Sequence, residues 1–503
     1  MSKLATIMSA VGICILISMG CAKKGGDQQS RNTESDKVPV VTEEEAASAF
    51  DSPPAPEEQS PDPRIAMLIE QLHHEDEIMV ADAAYQLGQM KIQSTSAAEE
   101  LSKLLGNYHA VRLPSTGKFR KINTLAGEVL SGMGESAMPI LLKKLSDQDN
   151  AITHQVIIAL SIMGEPAVEP LIQQLDTDQP GCSTAAEALT KIGTPSVEPL
   201  MKLLAPGNPN QTRKYAAKIL GDIGDKKAVG DLIVALKDED EWLRLTCADA
   251  LGKIKDPAAF DPLCRLLAEG SAANDRRSAA RALTGLGLQK AGTPLIAALQ
   301  HENTRITIIS ALGRLKVSEA VPPLVKIMEE EDAKMSRVAC AALGLIGDPK
   351  ALEPLLSFLK KAQDDETLFQ VITSLGLLGN PRAVPALNKM LEEADYTMMV
   401  QCLVVALIEI QGSKAAPTLV KRLRSDKSGT PVRGICKQLS RMGNPAVAPL
   451  FSLVEDGTFE KFSPQDQKMV IYALEGITRV KLPKDPQELS KWWAGKRQHY
   501  ADP

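Results

Sequence analysis

The stretch "MGEPAVEPLIQQL", Met163 to Leu175, joins a glycine and a polar turn to a proline-led apolar run, and it recurs along the chain. When the copies are aligned on Leu171, equivalent leucines follow at intervals of 29 to 32 residues from Leu141 onward. Thirteen anchors at this spacing predict a repeat architecture rather than several unrelated domains. The anchors are Leu68, Leu101, Leu141, Leu171, Leu200, Leu232, Leu263, Leu295, Leu324, Leu355, Leu387, Leu419 and Leu450.

Each repeat is predicted to contain two helices. The first is seen in "EWLRLTCADALGKI", Glu241 to Ile254, where apolar residues recur at helical spacing and small residues allow close approach. A glycine such as Gly164 ends it, because glycine adopts the left-handed conformation at little cost. The second helix begins at a proline such as Pro170, in the first turn, where a missing N–H costs nothing. The opening stretch is therefore a hinge between helices.

The phrases "DKKAVGDLIVALKDEDEWLRLTCADALGKI" (225–254) and "GDPKALEPLLSFLKKA" (347–362) resemble HEAT repeats of the short kind first described in phycobilisome lyase relatives. The resemblance covers residues 64–480. It implies an all-α fold, a right-handed α-solenoid of about 12–13 helical hairpins. It also implies protein partners, which would bind through the concave face.

The net charge of −6 is concentrated near the N-terminus. Residues 22–63 contain four basic and ten acidic side chains, so the remainder is nearly neutral. That remainder lacks the strong basic field of a general nucleic-acid binder, and no nucleic-acid partner is expected. Because residues 21–63 are acidic, rich in proline and without apolar periodicity, they are predicted to form a disordered tether.

Residues 1–21, "MSKLATIMSAVGICILISMGC", contain Lys3, an apolar run of sixteen residues and a cysteine. They resemble a bacterial lipoprotein signal, although Ser18 and Met19 depart from the usual leucine and small residue. The resemblance implies a signal peptide over 1–20 and lipidation of Cys21; an ordinary signal peptide or an uncleaved anchor are the alternatives. We therefore expect a lipid-anchored protein of the bacterial cell envelope, with its solenoid in the periplasm or at the surface. Ala22 favours the outer membrane.

A column of cations lies two residues after the anchors, on the second helix, which the resemblance places on the concave side. Glu70 is the only acid at this position in the thirteen repeats. The column is a candidate partner-binding stripe for acidic protein surfaces. The alternative is a solvated face with ordinary pairs such as Glu198–Lys202 and Asp261–Arg265. The stripe consists of Lys103, Lys143, Lys202, Arg265, Lys326, Lys389 and Lys421.

Two further groups of residues stand out. An insertion at 106–121 is basic and carries aromatic side chains in a chain with few of them, so it is either a candidate contact loop or a tolerated surface insertion. Its candidate residues are Tyr108, His109, Arg112 and Phe119. In the first helix, one position holds arginine in four consecutive repeats, for which the resemblance implies a structural ladder. These residues are Arg213, Arg244, Arg276 and Arg305.

Signatures of catalysis are absent from the sequence: it contains no GxSxG, HExxH, Walker or GxGxxG motif, and its cysteines lack metal-site spacing. No catalytic, cofactor-binding or metal residue and no small-molecule substrate is therefore predicted. The sequence favours a non-enzymatic protein-interaction scaffold. The alternatives are a surface protein that binds anionic polymers and, less favoured, a HEAT enzyme of the lyase or hydroxylase type. Residues 481–503, with Trp492 and Trp493, are predicted to cap the array.

Overall fold

The structure, a computed structural model, describes residues 62–176, 181–394, 396–425 and 432–500. The described residues all belong to one unit, Pro61–Pro503. The predicted signal peptide, Cys21 and nearly all of the predicted tether lie outside the described residues.

Long helices of 11 to 15 residues alternate with short helices of 6 to 10 residues. The long helices are α2 (Glu77–Gln89), α4 (Ile122–Gly132), α6 (Asn150–Met163), α8 (Cys182–Ile192), α10 (Asn210–Ile223), α12 (Glu241–Ile254), α14 (Ala273–Leu286), α16 (Arg305–Leu315), α18 (Ala333–Ile346), α20 (Asp365–Leu378), α22 (Thr397–Gln411), α24 (Val432–Met442) and α27 (Pro464–Thr478). The short helices are α1 (Pro63–Gln71), α3 (Thr95–Lys103), α5 (Met138–Lys143), α7 (Val168–Gln173), α9 (Val197–Leu203), α11 (Val229–Ala235), α13 (Phe260–Glu269), α15 (Gly292–Ala297), α17 (Val321–Glu330), α19 (Leu352–Lys361), α21 (Val384–Glu393), α23 (Ala416–Ser425) and α25 (Val447–Glu455). The alternation is interrupted by α26 (Thr458–Lys461), α28 (Pro486–Lys496), β1 (Ala110–Arg112) and β2 (Phe119–Lys121).

The anchor leucines lie on the short helices and are buried in all thirteen repeats, as the repeat pattern predicts. Between a long helix and the next short helix the chain turns through a 3-10 segment, such as Glu165–Ala167. Gly164 begins this turn with φ +70°. A polar residue with positive φ replaces glycine at four of these turns, namely Lys91, Lys255, Lys316 and Arg479, at φ +50°, +60°, +56° and +57°. The α-solenoid of HEAT-like hairpins is thus confirmed.

The backbones of neighbouring long helices approach each other closely. A Cβ added at Gly221 would lie 2.6 Å from the Cα of Ala250, and one added at Gly252 would lie 2.8 Å from the Cα of Ala282. Short helices contact their neighbouring short helices far less. In a two-layer stack, the layer with the closer spacing lies on the inside of any curvature, so the long helices form the inner layer.

This order of the layers contradicts the expectation that the short helices line the concave side. The cation stripe lies on the short helices, which form the more widely spaced outer layer rather than the concave side. The physical reason is the distribution of small residues: glycine and alanine recur at the contact points of the long helices, which permits their close approach. The side chains on the exposed face of the long helices therefore line the inner surface.

The insertion departs from the all-α expectation because it forms a two-stranded antiparallel hairpin. Ala110 pairs with Lys121 and Arg112 pairs with Phe119. Leu113, directly after β1, is buried and attaches the hairpin to the array.

The stretch Thr397–Arg424 is, by length and composition alone, apolar enough to cross a membrane. It comprises α22, a 3-10 turn and most of α23. Leu403, Leu407 and Leu419 of this stretch lie in the hydrophobic core, where they pack as in the other repeats.

The C-terminal helix α28 lies against α25. Trp493 is buried, and its ring stacks on Phe451 with centroids 4.3 Å apart. The indole Nε1 donates a hydrogen bond to Glu455 Oε1 at 3.0 Å, which satisfies the polar atom of the buried ring. Trp492 also stacks on Phe451, at 5.7 Å. This aromatic group covers apolar side chains of the last repeat.

Candidate functional site

The arginine column connects neighbouring repeats. Arg244 donates from Nε and Nη2 to the two carboxylate oxygens of Asp275, both at 3.0 Å. Asp275 is almost fully buried, and the hydrogen bond between the two groups raises the pKa of the Arg244 guanidinium. Arg213 donates to Asp238 at 2.5 Å, and this hydrogen bond is the main reason that the pKa of Asp238 is lowered. Arg305 likewise donates to a carboxylate, that of Glu331, at 2.7 Å.

Arg276 differs from the other three arginines. Its Nη1 donates to the carbonyl of Ala272 at 3.4 Å, within its own repeat. Within the described ranges it makes no ion pair with an acid. The neighbouring Arg277 instead reaches the next repeat, where it donates to the Asn303 carbonyl at 2.8 Å. In the arginine ladder implied by the sequence, Arg276 is therefore the one member that does not pair with an acid of a neighbouring repeat.

The seven cations of the stripe are all exposed. Four of them have a carboxylate within 4.0 Å, and three of these pairs lie within one helix, including Lys326–Glu330 at 3.9 Å. In the part of the chain that the structure describes, Lys143, Lys202 and Arg265 form no ion pair. The ordinary pairs weighed from the sequence do not form, since the carboxylate of Glu198 lies 3.7 Å from Lys227 instead of Lys202.

The candidate contact loop is the β1–β2 hairpin. Phe119 and Tyr108 are exposed, with 73% and 51% of their surface accessible. His109 is held by the carboxylate of Glu77, and Arg112 donates from Nε to the Gly117 carbonyl at 2.9 Å. The two aromatic rings are therefore presented by a hairpin whose polar side chains are fixed locally.

Three different surfaces follow one another along the inner layer, and sequence reasoning missed them because it examined the short helices. In the first, on α10 to α14, cations and acids pair across repeats, with Lys253–Asp222 at 2.6 Å and Arg281–Asp249 at 3.4 Å. In the second, on α18 and α20, the position two residues after the buried leucine is apolar, and Leu345 is 41% exposed. On α22 the equivalent position holds Glu409, which is exposed. In the third, on α24, the positions are cationic. The signal was available in the residues two places before and two places after the buried leucine of each long helix, such as Leu251 of α12.

The cysteines of the core are poor nucleophiles. Burial raises the pKa of the Cys247, Cys340 and Cys436 thiols to about 12 in each case. Among the described residues, no group of three or more His, Cys, Asp or Glu side chains has the geometry to hold a metal ion.

Residues 197–284, 292–370 and 352–433 match the family described as HEAT repeats, and residues 275–301 match the PBS lyase HEAT-like repeat. The chain is 30% identical over 158 residues to phycocyanobilin lyase subunit alpha of Nostoc sp. (strain PCC 7120), an alignment covering 28% of this chain and 57% of that protein. It is 32% identical over 145 residues to the bilin biosynthesis protein PecE of the same organism, covering 28% of this chain and 48% of PecE. The chain thus spans about half the length of the curated relatives it matches.

Among solved structures, the Kap95:Nup1 complex is similar with a TM-score of 0.52 and 12% identity, covering 87% of this chain and 69% of that one. At this identity the likeness shows the fold alone. The HEAT repeats predicted from the sequence are confirmed, and HEAT solenoids commonly bind proteins.

The relatives overturn two predictions made from the sequence. A non-enzymatic scaffold and the absence of enzyme activity were expected because no catalytic motif was found, yet the curated relatives are named as a lyase subunit and a bilin biosynthesis protein. These predictions are wrong. The names also conflict with the expectation of no small-molecule substrate, because a bilin is a small molecule. Motif searching failed here because a repeat surface distributes its residues over several helices.

Proposed function

We propose that this chain acts as a lyase-type HEAT protein that binds a bilin-class ligand and presents it to a protein partner. The proposal is supported by the similarity to phycocyanobilin lyase subunit alpha and PecE. The structural observation that carries it is the apolar part of the inner surface on α18, α20 and α22. There Leu345 and Leu377 occupy equivalent positions in successive repeats. On the next long helix, α22, Val405 is apolar, while the position equivalent to Leu377 holds Glu409.

The backbone contacts bring these side chains onto one surface. A Cβ added at Gly344 would lie 2.8 Å from the Cα of Ser374, and one added at Gly376 would lie 2.9 Å from the Cα of Ala406. Three long helices are therefore held close together by residues adjacent to Leu345, Leu377 and Val405. The result is a short apolar strip formed by Leu345 and Leu377 with Val405 beside it, and Glu409 lies at its α22 end.

A cation at the α16 end of the strip suits the ligand. An open-chain tetrapyrrole is long, flat and largely apolar, and it carries propionate carboxylates. Arg314 of α16 occupies the position equivalent to Leu345 one repeat earlier, where it is exposed. Within the described residues it has no carboxylate within 4.0 Å. A guanidinium in that place binds a carboxylate by charge-assisted hydrogen bonds.

The chain's part in the reaction is binding and orientation. The thiols of Cys247, Cys340 and Cys436 are buried and protonated at neutral pH, because burial raises the pKa of each to about 12. They are unsuited to forming a thioether with the ligand. In this proposal the covalent bond to the ligand is made by a group on the partner protein.

Absorbance spectroscopy tests the function. Purified protein is titrated with biliverdin, and binding is expected to shift and sharpen its visible absorption. The double variant Leu345→Glu/Leu377→Glu should abolish the shift, because two carboxylates then face the apolar ligand. Val234→Glu is the matched control, since Val234 is equally apolar and 72% exposed but lies on the outer layer. No spectral change with the unaltered protein, or equal loss in both variants, contradicts the proposal.

We further propose that the protein is exported and anchored through Cys21. Support comes from the lysine, the apolar run and the cysteine of residues 1–21. Metabolic labelling with an alkyne fatty acid should mark the protein, and Cys21→Ser should remove the label and release the protein from membranes. Cys14→Ser is the matched control within the same segment, and it should keep the label. Labelling that survives Cys21→Ser contradicts this anchor.

A further inference from the structure

The exposed face of α24 carries three cations in one line. Arg433, Lys437 and Arg441 are spaced at i, i+4 and i+8, so successive charges lie about 6 Å apart along the helix. All three are exposed, while Ile435 and Leu439 on the opposite face are buried in the core. The helix contains no acidic residue. The cations therefore face the inner surface together.

The neighbouring long helix α27 extends this surface. It adds Lys468, which is exposed, and Tyr472, which is 62% exposed. The two helices lie close together, since a Cβ added at Gly476 would lie 2.9 Å from the Ser440 hydroxyl. We call Arg433, Lys437, Arg441, Lys468 and Tyr472 the cationic face.

None of the four cations of this face has a carboxylate within 4.0 Å in the described part of the chain. On the preceding long helix α22, the position equivalent to Arg441 holds Glu409, yet no ion pair forms between them. On α12 and α14, by contrast, Lys253 and Arg281 each meet an acid of the previous repeat.

The unpaired arrangement has a physical consequence. Like charges one helical turn apart repel each other and weaken the helix. An anion that binds across Arg433, Lys437 and Arg441 removes this repulsion and adds attraction to each cation. The cationic face is thus better prepared to bind an anion than the paired cations of α12 and α14, which would first have to release their acids.

We propose that the cationic face docks an extended acidic segment of a partner protein. In an extended strand, side chains at i, i+2 and i+4 point to the same side and lie about 6.6 Å apart. This spacing matches the separation of the three cations on α24. Tyr472 supplies an exposed aromatic side chain beside the charges, of the kind enriched at protein interfaces. The docking site goes beyond the bilin-binding strip and does not depend on it.

A peptide-binding experiment tests the docking site. The probe is a fluorescent peptide of about ten residues in which glutamate alternates with alanine, and its anisotropy is followed as the full chain is added. Binding should weaken as salt rises. The triple variant Arg433→Glu/Lys437→Glu/Arg441→Glu should weaken binding by at least about tenfold, because attraction becomes repulsion at three contacts. Tyr472→Ala should weaken it less, without altering the salt dependence.

The matched control reverses three other unpaired, exposed cations, with Lys143→Glu/Lys202→Glu/Arg265→Glu. It changes the net charge equally but lies on the outer layer, so peptide binding should be retained. Circular dichroism and the melting temperature of each variant check that the array is folded. Equal loss in both triple variants shows a general charge effect and overturns the proposal. So does unchanged binding by the α24 variant, or tighter binding of a single-stranded oligonucleotide than of the peptide.

Discussion

The long-helix layer and the short-helix layer use the same residue types for different purposes. In the long-helix layer, ion pairs such as Arg244–Asp275 join neighbouring repeats and are largely buried. In the short-helix layer the pairs are exposed, both within one helix, as in Lys326–Glu330, and between repeats, as in Lys421–Glu392. Gly252 of α12 meets the backbone of α14, whereas Gly230 of α11 faces open space. Gly292 of α15 is an exception among the short helices, since a Cβ there would lie 2.6 Å from the Val317 side chain. The comparison teaches that repeat stacking is fixed by the long helices, while the short helices tolerate change.

The largest expected effect comes from breaking a buried pair. Asp275→Ala leaves the Arg244 guanidinium without its bidentate partner, and it removes the acceptor for the backbone N–H of Ala272. We expect the free energy of unfolding to fall by about 3–5 kcal/mol. Asp261→Ala, on the exposed side of a short helix, should change it by less than about 0.5 kcal/mol. Urea denaturation followed by circular dichroism measures both, and equal losses would remove the distinction between the layers.

Glycine substitutions give the next effect in size. Gly252→Leu should destabilise the fold by about 1–3 kcal/mol or more, because its side chain must displace the backbone of Ala282. Gly230→Ala should be neutral or stabilise by up to about 1 kcal/mol, because alanine restricts the unfolded chain and meets no neighbour. Melting temperatures provide the measurement. A Gly252→Leu protein with an unchanged melting temperature would show that the long helices are not packed more closely than the short helices.

A third effect depends on pH. The hydrogen bond from Arg213 holds the pKa of Asp238 below its ordinary value. A lowered carboxyl pKa stabilises the fold above the unfolded pKa of about 3.9, and this contribution is lost as pH falls through the folded pKa. Asp238→Asn should therefore lower stability at neutral pH and flatten the loss of stability below about pH 4. Glu330→Gln, which removes the exposed partner of Lys326, is the control that should leave the profile unchanged.

The sequence specified the fold well because the anchor leucine recurs in all thirteen repeats, and in seven of them a proline lies directly before it. It did not reveal the layer order, since spacing alone shows which residues are buried but not which layer has the closer spacing. Leu345, Leu377 and Arg441 each look ordinary in their own repeat. They become surfaces only when Gly344 and Gly376 bring the long helices to backbone distance, which is a contact between repeats.

The smallest effect is expected from the stripe predicted from the sequence. Lys143, Lys202 and Lys326 are exposed on the outer layer. Among the described residues, one carboxylate lies within 4.0 Å of them, that of Glu330, at 3.9 Å from Lys326. Reversing all three to glutamate should change the free energy of unfolding by less than about 0.5 kcal/mol per site, because exposed charges are screened and weakly coupled. Binding of biliverdin and of the acidic peptide should also persist, since both sites lie on the inner layer. If the reversal instead abolishes either binding event while the melting temperature holds, the outer layer is a binding face, and the division of roles between the two layers is wrong.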